Sequence, residues 1–111
     1  MSSQKTVKDL VHAMEKIAPP ALAEPWDNVG LVVGDEAAPL HKVLVTIDLT
    51  LEVIAEARAG AFDTVVAYHP PVFRAEKRLL AGDLGYEAAR ANLSVYSPHT
   101  ALDVVEGGTN D

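Results

Sequence analysis

With 111 residues, 49% of them hydrophobic, the chain can bury one compact core and is too short for repeats or several domains. Its net charge of −7 (9 Lys and Arg against 16 Asp and Glu) repels phosphate backbones and anionic lipid heads, which argues against nucleic-acid and membrane-surface partners. Cysteine is absent, so disulfides, thiolate metal sites and thiol nucleophiles are excluded, and any metal must be held by His, Asp or Glu.

The first residues, Met1 to Lys8, are polar and carry no apolar run like that of a signal peptide. No later stretch reaches the roughly 20 apolar residues of a membrane-spanning helix, so a soluble, cytoplasmic protein is expected. From Thr6 onward Val7, Leu10, Val11, Met14, Ile17 and Ala18 fall on one face of a 3.6-residue period, which predicts an amphipathic helix. Thr6 and Asp9 have the spacing of a capping box at its start, and Pro19-Pro20 end it. Val29 to Val33 reads as a strand closed by Gly34 and Asp35.

Val43 to Ile47 is apolar without alternation, as suits a strand covered on both faces of a parallel sheet. Thr50 can cap a helix over Leu51–Ala59, with Gly60 placed to terminate it. Asp63 to Ala67 supplies the next strand and completes a βαβ unit. A helical region interrupted by Gly82 and Gly85 is expected between Leu79 and Asn92, and Leu93 to Tyr96 is a further strand. Gly107-Gly108-Thr109-Asn110-Asp111 is turn-rich. The fold class is therefore α/β: a mixed, largely parallel sheet flanked by helices.

On this outline Asp48, His69, His99 and Asp103 all follow the carboxyl ends of predicted strands, the rim where open α/β sheets bind ligands. Imidazole and carboxylate together suit Zn²⁺, Mn²⁺ or Fe²⁺, so this rim is a candidate metal site. Each residue also has a structural reading. His69 can hydrogen-bond the turn at Pro70-Pro71, and His99 and Asp103 can cap backbone in a loop. Asp48 can offset the N–H groups at the start of the next helix, and structure is the reading its position favours. His12 and His41 read as surface residues. Trp26-Asp27-Asn28 reads as an anchored turn with a packed indole. The glycines match no phosphate-cradling fingerprint, and no serine lies in a nucleophile elbow.

Four segments carry a more specific signal: Pro25-Trp26-Asp27-Asn28-Val29-Gly30-Leu31, Tyr68-His69-Pro70-Pro71-Val72-Phe73-Arg74, Tyr96-Ser97-Pro98-His99-Thr100-Ala101-Leu102-Asp103, and the closing Gly107 to Asp111. In this order they resemble the Nif-three-like family, also called the GTP cyclohydrolase I type 2 homologues. The likeness covers nearly the whole chain but only the N-terminal part of that family. It implies a single Nif-three-like N-terminal α/β domain over residues 1–111, lacking the C-terminal part. It also implies assembly as a homo-oligomer, a toroidal hexamer in the family, with two metals per subunit facing an internal cavity.

The resemblance assigns His69 and Asp103 as metal ligands. Tyr68 stands where the commonest family pattern has a first histidine, and a neutral phenol, with a pKa of about 10, is a weak ligand near neutrality. It can still orient water or substrate by hydrogen bonding, and His99 is implied to orient the ligands. The family's remaining His and Glu, four residues apart, would fall beyond Asp111. Two readings follow from the resemblance. One is a divalent-metal-dependent hydrolase acting on a nucleotide or related heterocycle, with the substrate itself unknown. The alternative is a non-catalytic oligomeric or partner-binding module with an incomplete metal site.

Overall fold

This computed structural model describes residues 4–71 and 78–103, with Asp103 described by its backbone alone. Chain order is α1 (Val7–Ile17), a 3-10 turn (Pro20–Leu22), β1 (Gly30–Val33), β2 (Val43–Thr46), α2 (Leu51–Ala59), β3 (Thr64–Ala67), α3 (Leu84–Arg90), β4 (Ser94–Ser97) and α4 (His99–Asp103). The closing glycine-rich segment and the residues after Pro71 in the Tyr-His-Pro-Pro motif lie outside the described residues.

Four strands form one sheet in the order β1-β4-β3-β2. β2, β3 and β4 are parallel, and β1 joins β4 antiparallel. The sheet is thus mixed and largely parallel, with helices on both sides. α2 and α3 cover one face, where Leu49, Ile54, Ala57, Ala88 and Leu93 pack on Val65, Ala67 and Val95. α1 covers part of the other, placing Val7 and Val11 against Tyr96 with Val66 alongside. Neighbours along β3 therefore point to opposite faces, as the pleat requires. Burial, reinforced by Glu15, pushes the Tyr96 phenol up, so it stays neutral inside the core.

The helix boundaries have local causes. Asp9 accepts from the Thr6 N–H at 2.8 Å, as a capping box requires. The Thr50 hydroxyl accepts from the Val53 N–H at 3.1 Å and caps α2. Gly60 ends α2 at φ −90°, and the left-handed conformation falls on Ala61 instead, at φ 59°. α3 is shorter than the expected Leu79–Asn92. Gly82 turns at φ 97°, the Leu80 N–H donates to the Asp83 carboxylate at 3.0 Å, and the Gly82 N–H donates to Glu87 at 2.8 Å. These side-chain bonds hold residues 80–83 in a turn and leave only the last stretch helical. α4 was expected as loop.

The face opposite α2 and α3 is incompletely covered. Val43, Val45 and Ile47 alternate onto it beside Leu10, Met14 and Ile17 of α1. Val45 is 75% exposed and Ile47 62% exposed. Among the described residues β2 is also an edge strand of the sheet.

Candidate functional site

The site lies where β2, β3 and β4 end. The β2–β3 ladder continues beyond the strands, because the Tyr68 N–H donates to the Thr46 carbonyl at 3.1 Å and the His69 N–H to the Ile47 carbonyl at 3.0 Å. Strand partners are 21 positions apart, from Val43 with Thr64 to Thr46 with Ala67, so this continuation sets Asp48 beside His69. Their side chains meet: His69 Nδ1 and Asp48 Oδ1 are 2.6 Å apart. A carboxylate only accepts, so Nδ1 carries the proton and Nε2 is the nitrogen left with a lone pair. This corrects the structural reading of Asp48. The cap of α2 belongs to Thr50, and Asp48 instead orients an imidazole.

At the end of β4 a second pair repeats the arrangement. His99 Nδ1 stands 2.9 Å from both oxygens of Asp27. The side chain of Asp27 is out of reach of solvent although the residue as a whole is only half-buried, and the His99 side chain is largely covered. Asp27 also accepts from the Asn28 N–H at 2.8 Å and the Thr100 N–H at 3.1 Å, and from the Thr100 hydroxyl. Burial alone would raise its pKa. The bonds from His99, Thr100 and Asn28 outweigh that and hold the carboxyl below its usual range, so it is ionised at neutral pH. The Thr100 hydroxyl in turn accepts from the Glu24 N–H at 3.0 Å, which ties the 24–28 turn to α4.

The anchored turn of residues 26–28 is therefore present, but its anchor is a histidine and a threonine 72 and 73 positions away. The Trp26 indole is not packed inside: it is 60% exposed and stands edge-on to His99 with centroids 6.5 Å apart. His99 has φ 28°, an uncommon backbone conformation for a residue with a side chain, held by the bonds of its imidazole and of Thr100.

The two pairs converge. Ring centroids of His69 and His99 are 5.4 Å apart, and the Tyr68 ring stands 4.9 Å from His69 and 5.3 Å from His99. The Ser97 hydroxyl donates to the Tyr68 carbonyl at 2.9 Å and clamps the two strand ends together. Tyr68, His69 and His99 are thus brought to one place. Asp103 lies at the end of α4, one helical turn beyond His99, and its side chain is outside the described residues. Among the described residues no group of three or more His, Asp or Glu side chains is placed to hold a metal ion. His12 and His41 are exposed and far along the chain from this rim, as expected. No described helix is long and apolar enough to cross a membrane.

Of the two carboxylates in this arrangement, the sequence places Asp48 on the rim but favours a structural reading for it, and reads Asp27 only as part of a turn. For Asp48 a signal existed: equal spacing of its strand and the next in a parallel βαβ unit places position 48 beside position 69. For Asp27 the signal was the Trp-Asp-Asn turn, which gives no indication of its partner.

A sequence profile of Duf34/NIF3 (NGG1p interacting factor 3) matches residues 5–111. The GTP cyclohydrolase 1 type 2 homolog of Lactococcus lactis is 40% identical over 109 residues, covering 95% of this chain and 42% of its own length. The protein of the same name from Bacillus subtilis is 35% identical over 115 residues, covering 100% of this chain and 31% of its own. In a crystal structure of a Staphylococcus aureus hypothetical protein, a region 33% identical in sequence superimposes with a TM-score of 0.94, covering 99% of this chain and 32% of that one. The chain spans less than half the length of each of these relatives.

Proposed function

The chain belongs to the Duf34/NIF3 family, and from that premise we propose that it acts as a self-associating module that holds part of a divalent-metal site. The observation that carries this reading is the exposed apolar strip of Val43, Val45 and Ile47 on the open edge strand β2. Edge strands that avoid pairing usually carry a lysine or proline, and β2 has neither. Lys42, just before it, is engaged elsewhere: its Nζ bonds the Gly60 carbonyl at 2.6 Å and sits over the Phe62 ring. The residues lining the strip carry no Asp, Glu, Lys or Arg, so despite the net charge of −7 two copies can approach there without repulsion between like charges. A second copy of the chain is the assigned occupant, giving a homo-oligomer.

Light scattering on the purified protein tests this. An oligomer that falls to monomer on Val45→Lys supports it, and a monomeric wild type at tens of micromolar overturns it.

The metal part rests on His69 and Asp103 as ligands, with Tyr68 and His99 beside them. The donor chemistry fits a divalent cation such as Zn²⁺, Mn²⁺ or Fe²⁺, because an imidazole whose Nδ1–H is bonded to a carboxylate presents an oriented Nε2. A second reading, a metal-dependent hydrolase acting on a nucleotide or related heterocycle, is favoured by one observation. The groove along the strip has a volume of about 910 Å³ and ends at Tyr68 and His69, a size that suits a small organic molecule. A bound divalent ion supplies Lewis-acid activation of water and of the bond under attack. In that reading Asp48 and Asp27 fix the two imidazoles, the groove holds the apolar part of the ligand, and the Tyr68 ring stands against both imidazoles.

A further inference from the structure

We propose that a separate binding site lies at the other end of the sheet, in a cavity at the amino ends of β3 and β4, and that it takes a small organic cation: an ammonium group on an apolar body. The cavity shares no lining residue with the apolar strip or the rim, so neither reading above bears on it.

The observation that leads to it is Ser94. Among the described residues Thr64, Ser94, Ser97 and Thr100 are buried polar residues. Three of their hydroxyls are hydrogen-bonded, that of Thr64 to Asp63, that of Ser97 to the Tyr68 carbonyl and that of Thr100 to Asp27. The hydroxyl of Ser94, a residue only 3% exposed, has no partner among the described residues. Leaving a buried hydroxyl unpaired is destabilising, and folded proteins rarely do so without a reason. No side-chain oxygen among the described residues is both sealed off and unpaired, so the Ser94 Oγ keeps access to the cavity that it lines. Gly34 leaves that access open, since a Cβ on it would stand 2.5 Å from the Oγ.

The sheet topology supplies the charge. β1 runs antiparallel to β4, so its carboxyl end, with Gly34 and Asp35 just beyond, lies beside the start of β4. On the other side the Ser94 N–H donates to the Asp63 carbonyl at 3.1 Å, ahead of β3. Asp35 and Asp63 thus flank Ser94, and both line the cavity together with His41. No Lys or Arg among the described residues lines it, so with or without a proton on His41 the wall is negative and favours a cation over an anion.

The carboxylates have room for a donor. Asp63 accepts from the His41 and Lys42 N–H groups at 2.9 and 3.1 Å and from the Thr64 hydroxyl at 2.8 Å, and Asp35 accepts from the Ala37 N–H at 2.8 Å. A carboxylate offers about four acceptor positions, so both keep at least one. Val33, Pro39 and Leu93 give the cavity an apolar wall, and its volume of about 560 Å³ falls within the roughly 300–1,000 Å³ of small-molecule sites. The Ser94 hydroxyl accepts from the ammonium, the carboxylates oppose its charge, and the wall covers the body.

The test is a ¹H–¹⁵N NMR titration of the purified protein with three molecules of similar shape: phenethylamine, the neutral phenethyl alcohol and the anionic phenylacetate. Saturable shifts of the Gly34, Asp63 and Ser94 amides with the amine, about tenfold or more weaker with the alcohol and absent with the anion, support the site. Ser94→Ala, checked for folding by circular dichroism, should weaken amine binding about tenfold, and Asp35→Asn likewise. Equal affinity for amine and alcohol, or saturable shifts confined to other residues, overturns the proposal. No saturable shift with any of the three also overturns it and leaves Ser94 as a hydroxyl that holds only water. Wild-type affinity in folded Ser94→Ala overturns it as well.

Discussion

Asp27 and His99 are 72 positions apart in sequence, yet the carboxylate is bonded through both oxygens to the same imidazole nitrogen at 2.9 Å. The contact joins the turn before β1 to the helix after β4, across the antiparallel pairing of these two strands. Because the Asp27 carboxylate is buried with four donors around it, its charge is part of the fold.

The first prediction concerns acid stability. The folded pKa of Asp27 is depressed, so its ionised form stabilises the native state at pH values above the unfolded carboxylate pKa of about 4. That contribution is lost as pH falls from about 4 through the lower folded value. In the metal-free protein, Asp27→Asn should therefore be less stable at pH 7 and should lose less stability than wild type on acidification below about pH 4. Chemical denaturation at several pH values measures both. Parallel losses in the two proteins would show that Asp27 does not titrate in this way.

Removing the group altogether should be worse. Asp27→Ala leaves the Thr100 and Asn28 donors without their acceptor in a buried place, and a destabilisation of about 2–3 kcal/mol is expected in urea unfolding. A change under 1 kcal/mol would mean that water replaces the carboxylate.

Asp48 gives a contrasting case. Its pair with His69 is about half exposed, so Asp48→Asn should leave stability within about 0.5 kcal/mol of wild type. Zn²⁺ affinity should nevertheless fall about tenfold, since the imidazole loses the partner that orients it. Calorimetry checks the affinity and thermal unfolding the stability. Equal affinity would remove Asp48 from the site.

Gly34 is a packing prediction independent of the metal reading. A Cβ there would stand 2.5 Å from the Ser94 hydroxyl and 2.8 Å from its Cα, and the backbone has φ 126°. Gly34→Ala should cost more than about 2 kcal/mol, combining strain with a backbone clash at the start of β4. Leu93→Ala, at a position 2% exposed in the core under α2 and α3, should cost about 2–5 kcal/mol by cavity formation.

Much of this fold could be read along the chain because its elements depend on local causes. The apolar face of α1, the caps at Thr6 and Thr50 and the β-branched runs of β2 and β3 specify their own conformations, and the observed boundaries lie within about two residues of those expected. Errors arose where side chains from further along the chain intervened. The Asp83 and Glu87 carboxylates hold 80–83 out of a helix. The short α4 depends on bonds from Thr100 to a turn near residue 27. The site divides in the same way. His69, His99 and Tyr68 were legible from their motifs and Asp48 from the register of the βαβ unit, whereas the contact of Asp27 with His99 runs through space and no local pattern specifies it.

The Ser97 hydroxyl, bonded to the Tyr68 carbonyl, acts as a fastener where the regular ladder has stopped, since the last paired residues of β3 and β4 are Val66 and Tyr96. Its loss in Ser97→Ala lets the two chain ends part, so fraying would begin at the rim and reach His69 and His99 before the core beneath them.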